Sequence, residues 1–198
     1  MNFELCIDFH THTVPASPDV VALVDGLHTW GVHPWCADAE AAEPLLADKL
    51  AIGECGLDAM RGPSLEVQEE VFRWQISLSE QHGLPMVIHC VKAFDRLLAI
   101  HRELRPRQPW VFHGFRGKPQ QLRSLLDAGF YVSFGVHYNA DSLRLCPADR
   151  LLLETDTDPL PIADHYAQVA AQRVIPLPQL ISQMSQNYRA LVSKVHSS

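Results

Sequence analysis

The sequence has no run of apolar residues approaching the roughly 18 that a membrane-crossing helix requires, and it has no excess of basic charge. Lys and Arg number 16 against 23 Asp and Glu, for a formal net charge of -7. The first absence excludes a transmembrane helix, and the second excludes a protein that grips nucleic acid through a broad basic face. Any anionic substrate must be met by a few local groups. There is no CxxC pair: the five cysteines, Cys6, Cys36, Cys55, Cys90 and Cys146, are odd in number and mostly sit in or beside apolar segments. They read as reduced core residues rather than as a disulfide framework. The opening residues, Met1-Asn2-Phe3-Glu4, lack the basic-then-apolar pattern of a secretory leader, so the expected compartment is the cytosol. With no internal repeat, low-complexity tract or linker, residues 1–198 read as one domain with a core of its own. No membrane contact and no stable protein partner are expected.

Histidine is what the chain has in quantity, 11 in 198 residues. Short apolar runs alternate with amphipathic ones, the pattern of a parallel sheet wrapped by helices. Strands are predicted at Glu4 to Asp8, Val20 to Val24, Leu27 to Val32, Leu50 to Glu54, Met86 to His89, Trp110 to His113, Tyr131 to Phe134 and Leu151 to Glu154. Helices are predicted at Asp38 to Asp48, Ser64 to Gln81, Ala93 to Leu104, Pro119 to Ala128 and Pro178 to Val195. The fold class is α/β, a compact barrel of at most eight strands. The stretch between the first and third strands is too short for a crossover helix. Asp25-Gly26 is a tight-turn dipeptide, so Val20 to Val24 is expected to pair irregularly or antiparallel.

The strand ends carry the chemistry. In Asp8-Phe9-His10-Thr11-His12 the two imidazoles are two residues apart and project from one face of a strand. Glu54, His89 and His113 close three further strands, and Asp156 follows another. In a parallel barrel the carboxyl ends of the strands form the functional rim, which brings His10, His12, Glu54, His89, His113 and Asp156 together. Such a crowd of imidazoles and carboxylates is poorly satisfied without a cation. It exceeds the needs of one tetrahedral ion and suits two divalent ions sharing a bridging carboxylate. Ions of that kind activate water, so no protein nucleophile is needed. Mixed imidazole and carboxylate donors suit Zn2+ or Mn2+, whereas Mg2+ favours oxygen ligands.

The series Asp8-Phe9-His10-Thr11-His12, Gly31-Val32-His33-Pro34, Gly53-Glu54-Cys55-Gly56-Leu57-Asp58, Ile88-His89, His113-Gly114-Phe115-Arg116-Gly117 and Glu154-Thr155-Asp156 resembles the serial motifs of the TatD family. The resemblance runs from about Asp8 to Pro159. It implies a TIM-type (β/α) barrel of the amidohydrolase superfamily and a metal-dependent deoxyribonuclease, with DNA as the substrate. It implies that His10, His12 and Asp156 bind one ion, that His89 and His113 bind the other, and that Glu54 bridges them. Asp156 is then also the acceptor of the attacking water's proton, and Asp156 and Glu54 are the catalytic carboxylates. The chain resembles a compact subgroup in which the stretch between His12 and Leu27 is cut down. Where the family carries a Ser-Arg pair after its histidine, this chain reads Cys90-Val91-Lys92, which makes Lys92 a displaced phosphate contact.

Arg61, Lys92, Arg116 and Lys118 each follow a strand-end motif and are candidate anion contacts, Arg116 foremost because it lies inside the motif begun by His113. His33 is a candidate substrate or supporting group, Trp35 and Phe115 are candidates to stack on a base, and His137 follows another strand end. His28, His82, His101, His165 and His196 receive no chemistry. Two other readings stay open. One keeps the metal centre but gives it a small amide, lactone or phosphotriester substrate. The other is a metal-stabilised binding protein without catalysis.

Overall fold

The computed structural model of the protein describes residues 5–38 and 44–192. Among these lie strands β1 (Cys6–Thr11), β2 (Val20–Val24), β3 (Thr29–Trp30), β4 (Ala51–Asp58), β5 (Met86–Val91), β6 (Trp110–Phe112), β7 (Tyr131–Phe134) and β8 (Leu151–Leu153). The helices are α1 (Leu65–His82), α2 (Phe94–Leu104), α3 (Pro119–Asp127), α4 (Ala140–Leu145), α5 (Ile162–Arg173) and α6 (Leu177–Val192). Every ladder is parallel: β3 to β8 pair in sequence order, and β1 pairs with β2. The two sheets meet just past β8, where Thr11 bridges to Asp156, the Asp156 N–H donates to the His10 carbonyl at 2.9 Å and the His12 N–H donates to the Asp156 carbonyl at 3.2 Å. The result is a compact TIM-type α/β barrel whose seam, between β2 and β3, carries no ladder among the described residues.

Two apolar layers hold it. Inside, Phe9, Leu23, Ala51, Val87, Val111 and Leu152 pack with Leu191 of α6. Outside, between strands and helices, lies a larger layer that includes Ile52, Phe72, Met86, Ile88, Trp110, Phe112 and Phe130. The alternation of strand side chains explains the split: Met86 and Ile88 face the helices, whereas Val87 faces the barrel axis. His89, two residues on from Val87, therefore shares the inner face, as His113 follows Val111. Trp110 is 1% exposed and meets Phe72, His101 and Phe130 edge-on or tilted. Truncating it to alanine would cost about 3–5 kcal/mol.

Helix α1 shows how the ends are specified. Ser64 caps its start by accepting from the Val67 N–H, and Gly83 ends it in the left-handed region at φ 69°. Its buried stripe, Gln68, Phe72, Gln75, Ile76 and Ser79, has helical spacing, yet three of these five side chains are polar. Each serves a loop: the Gln75 amide pairs with both the N–H and the C=O of Val32, at 2.7 and 3.1 Å.

Several expectations are corrected. Val20–Val24 runs parallel to β1, not antiparallel, and its pairing is irregular as the alternative expectation had it, with a register shift between Asp8 and Thr11. An extended return from His12 to Asp19 covers roughly 3.3 Å per residue, so eight residues outrun a strand of six residues without any helix. The Asp25–Gly26 turn then does not double the chain back. The Asp25 carboxylate accepts from Thr29 Oγ1 at 2.8 Å and from the Glu54 N–H at 3.2 Å, which moves the chain sideways to β3. The strand expected over Leu27 to Val32 is confined to Thr29–Trp30. Of the helix expected over Asp38 to Asp48, residues 39–43 lie outside the described residues, and 44–48 form turn and irregular backbone. Helices α4 and α5 were not anticipated. Among the described residues no helix is long and apolar enough to cross a membrane.

Candidate active site

Glu54 sits where the register between β4 and β5 shifts, between Ile52 and Cys55. That irregularity turns its side chain into the mouth of the barrel, where it is 7% exposed. Gly53 before it has φ 157° and no room for a side chain, since a Cβ would lie 2.7 Å from that of Val87.

The two oxygens of this carboxylate face different imidazoles. Oε2 lies 3.1 Å from Nε2 of His10 and 3.3 Å from Nε2 of His12. Oε1 lies 2.8 Å from Nε2 of His113, 3.2 Å from Nδ1 of His89 and 3.4 Å from Nε2 of His33. Asp156 joins the Oε2 side, its Oδ1 being 3.4 Å from Nε2 of His12 and 3.8 Å from Nε2 of His10. All six residues expected at one rim are brought together, and His33 joins them.

A second set of carboxylates stands behind the imidazoles. Glu154, fully buried, places Oε1 3.4 Å from Nδ1 of His113 and accepts from the Gly114 N–H at 2.5 Å. Asp58 places Oδ2 3.1 Å from Nε2 of His89 and accepts from Nε1 of Trp35 at 2.6 Å. Asp25 places Oδ2 3.7 Å from Nδ1 of His12. None of these three was singled out from sequence. Glu154 and Asp58 lie inside the quoted motifs, so the signal was present, but Asp25 was concealed by its turn dipeptide.

This arrangement fits divalent cations. A neutral imidazole has one N–H and one lone pair, yet both ring nitrogens of His89 and of His113 face carboxylate oxygens. One end of each ring would oppose lone pair to lone pair unless the ring is protonated or a cation lies between. Donors about 2.1 Å from a shared ion stand roughly 3.0–3.4 Å apart, the spacing found around Glu54. His10, His12 and Glu54 form one group with metal-ligand proximity, and His33, Glu54 and His89 form another. The rear carboxylates can then accept the second ring N–H, which fixes tautomer and orientation.

Electrostatics point the same way. Burial alone would raise the pKa of Glu54, but His10, His113, His12 and His33 outweigh it and hold the carboxylate far below the ordinary range. His12 is pushed up to about 10 by Asp156 and Glu54 against the opposing effect of burial. Burial raises the pKa of Asp156, and His12, His113 and His10 more than offset it. The pocket is built to hold positive charge.

Above the cluster opens a cavity of about 1080 Å³, lined among others by His12, His33, Trp35, Lys92, Arg116 and Asp156. Lys92, in the left-handed region at φ 53°, and Arg116 both reach this mouth as expected of anion contacts. Arg61 does not line it; its guanidinium lies over the Trp35 ring at 4.7 Å. Lys118 caps α3 away from it. Phe115, a candidate for stacking, is 2% exposed and packs on Phe112 and Phe134, so it belongs to the core. His137 lines a smaller cavity of about 210 Å³ that shares Gly114, Arg116 and Asp156 with the larger one, with Nε2 3.7 Å from Oδ2 of Asp158.

Compared with known families, residues 9–193 match the TatD related DNase family. The chain belongs to that family. Among curated TatD proteins, it is 36% identical over 159 residues to one from Edwardsiella piscicida named 3'-5' ssDNA/RNA exonuclease TatD, covering 73% of this chain and 61% of that protein. A protein of the same name from Pantoea ananatis is 35% identical over 182 residues, covering 81% and 69%. The chain thus spans less than two thirds of the first of these relatives. TatD folds are also its structural neighbours. YJJV, a TatD homolog from Escherichia coli K12, superimposes with a TM-score of 0.75 at 23% identity over 90% of this chain and 78% of that one. A TatD family hydrolase from Entamoeba histolytica gives 0.72 at 19% identity over 87% and 74%.

Proposed function

We propose that this TatD family member is a metal-dependent nuclease that hydrolyses phosphodiester bonds at the ends of single-stranded DNA or RNA. The observation that carries the reading is the division of Glu54, whose oxygens face two separate sets of imidazoles. We infer two divalent ions, with Zn2+ or Mn2+ better suited to the donors than Mg2+. His10, His12 and Asp156 would hold one, His89 and His113 the other, and Glu54 both. When bound, such ions supply the positive charge that activates water and offsets the charge developing on the phosphate.

The remaining roles belong to the chain. Asp156, ionised at neutral pH and at the cavity wall, accepts the proton of the attacking water. His33, 3.4 Å from Glu54, faces the cavity and can donate to a phosphate oxygen. Lys92 and Arg116 meet the phosphate, and Arg61 stands just outside. This local supply of cations is what an acidic protein needs to take an anionic substrate. The cavity, about 1080 Å³, has room for the end of an extended strand.

The test is metal analysis of the purified protein together with turnover of end-labelled single-stranded DNA, before and after chelation. Loss of cleavage on chelation, recovery with Mn2+ or Zn2+, and loss in His10→Ala and Asp156→Asn variants are the expected results. Unchanged cleavage in those folded variants would reject the assignment.

A further inference from the structure

The proposed reaction leaves Trp35 unused, although it is the large aromatic side chain at the cavity mouth that remains open to solvent, 43% exposed. Its indole is fixed on several sides. Nε1 donates to Asp58 at 2.6 Å, and the ring stands edge-on to His33 and His89 with centroids 4.5 and 5.9 Å away. Arg61 lies over it from outside the cavity at 4.7 Å.

The two loops that meet here are clasped together. Gly62, at φ 84°, lets the loop after β4 approach so closely that a Cβ would fall 2.6 Å from the Pro34 carbonyl and 2.8 Å from Cα of Trp35. The buried Gln68 amide pins that same loop, donating to the carbonyls of Asp58, Arg61 and Pro63 at 2.8 to 3.0 Å. An exposed tryptophan held this firmly pays little ordering cost when a flat ligand covers it.

Charge narrows the ligand. The protein carries -7 overall, and against Lys92 and Arg116 the cavity presents Asp25, Glu54 and Asp156. Backbone phosphates alone therefore gain little net attraction away from the proposed metal centre, and affinity for a strand must come in large part from its bases. Indole is the side chain whose face suits a nucleobase of any sequence, with a guanidinium stacked behind it.

We propose that Trp35 is a stacking platform for one unpaired base of a single-stranded nucleic acid whose phosphate lies at the Glu54 cluster. It makes the site selective for strands that carry a base at that position. The proposal rests on the nuclease reading above and adds the residue that recognises the base.

The test compares two probes by titration calorimetry on metal-loaded protein: a short phosphorothioate oligothymidylate, which resists cleavage, and the same backbone with abasic residues. Trp35→Leu should weaken binding of the base-carrying probe roughly 5- to 150-fold, the range for one base–aromatic stack, and bring it to the level of the abasic probe, whose binding is unchanged. Trp35→Phe, which keeps a ring but loses the bond to Asp58, should retain most of the preference, and metal content should match the wild type in both. Equal losses on both probes would show Trp35 acting only through Asp58 and His89, and no loss would show no role; either overturns the proposal while leaving the nuclease reading standing. A wild-type protein that binds neither probe and cleaves no nucleic acid would remove both.

Discussion

The hydroxyl of Tyr166, on α5, accepts a hydrogen bond from the Ile7 N–H at 3.1 Å and donates one to the Ile7 carbonyl at 2.9 Å, across 159 residues of sequence. Strand β1 pairs with β2 on one edge; on the other, the Thr11–Asp156 bridge and the Asp8 carboxylate, which accepts from the Thr155 N–H and hydroxyl, tie it to the segment after β8, and Tyr166 partners the backbone of Ile7. His10 and His12 hang from this strand, so its footing bears on the site.

Tyr166→Phe keeps the packing of the ring but leaves two buried backbone groups unpaired. The expected cost is about 1–3 kcal/mol, read as a lower midpoint in urea with the slope unchanged. A stability within experimental error of the wild type would mean that water or a shifted β1 replaces the hydroxyl.

Glu154→Gln tests the carboxylate behind His113. Because Oε1 faces Nδ1 of that ring, the amide would lose the charge that steadies the imidazole and would favour a different orientation. Metal affinity should fall roughly 10- to 100-fold, measured by competition with a chromogenic chelator, with the fold retained by circular dichroism. Undiminished affinity would leave Glu154 as a bond to Gly114 and nothing more.

Gln75→Leu tests how the His33 loop is held. The substitution fills the space but orphans the N–H and C=O of Val32, next to His33. Stability should drop by about 1–3 kcal/mol and KM for an oligonucleotide should rise. Unchanged stability and KM would argue that the amide is not what holds the loop.

Acid sensitivity has an identifiable source on the far surface. Glu69 accepts from Nε of Arg73 at 2.8 Å and from Nε of Arg96 at 2.5 Å, joining α1 to α2. Burial raises its pKa, but Arg73 and Arg96 more than compensate and hold it below the ordinary value. A depressed carboxylate contributes stability that is full above the unfolded-state pKa and is lost as pH falls through the folded one. Glu69→Gln should therefore cost about 0.5–1 kcal/mol at neutral pH, the scale of a partly exposed ion-pair network. Unfolding curves across pH should show that gap closing toward the acid end; a gap independent of pH would assign the loss to packing.

Much of the architecture was written in local pattern. Leu151–Leu153 and Tyr131–Phe134 are short, mostly apolar runs of strand length, and Phe94, Leu97, Leu98 and His101 recur at helical spacing on α2, where Leu97 is buried. Helix α5 escaped because its apolar residues are diluted by Ala and His; what marks it as helix is its packing, with Tyr166 and His165 buried by contacts to Ile7 and Phe134. The parallel course of Val20–Val24 escaped for a different reason, since a turn dipeptide says that the chain bends and nothing about where it goes next.

Local pattern is enough to put imidazoles and carboxylates at the carboxyl ends of strands, because the period of two along a strand and the parallel order of a barrel send such residues to one rim. How they divide is a matter of packing: Glu54 turns one oxygen to His10 and His12 and the other to His89, His113 and His33, and Asp25, Asp58 and Glu154 stand behind them. Those choices depend on distances of a few ångströms between residues far apart in the chain, set by a shift in register at Gly53-Glu54 and by the approach of loops. No local pattern encodes them.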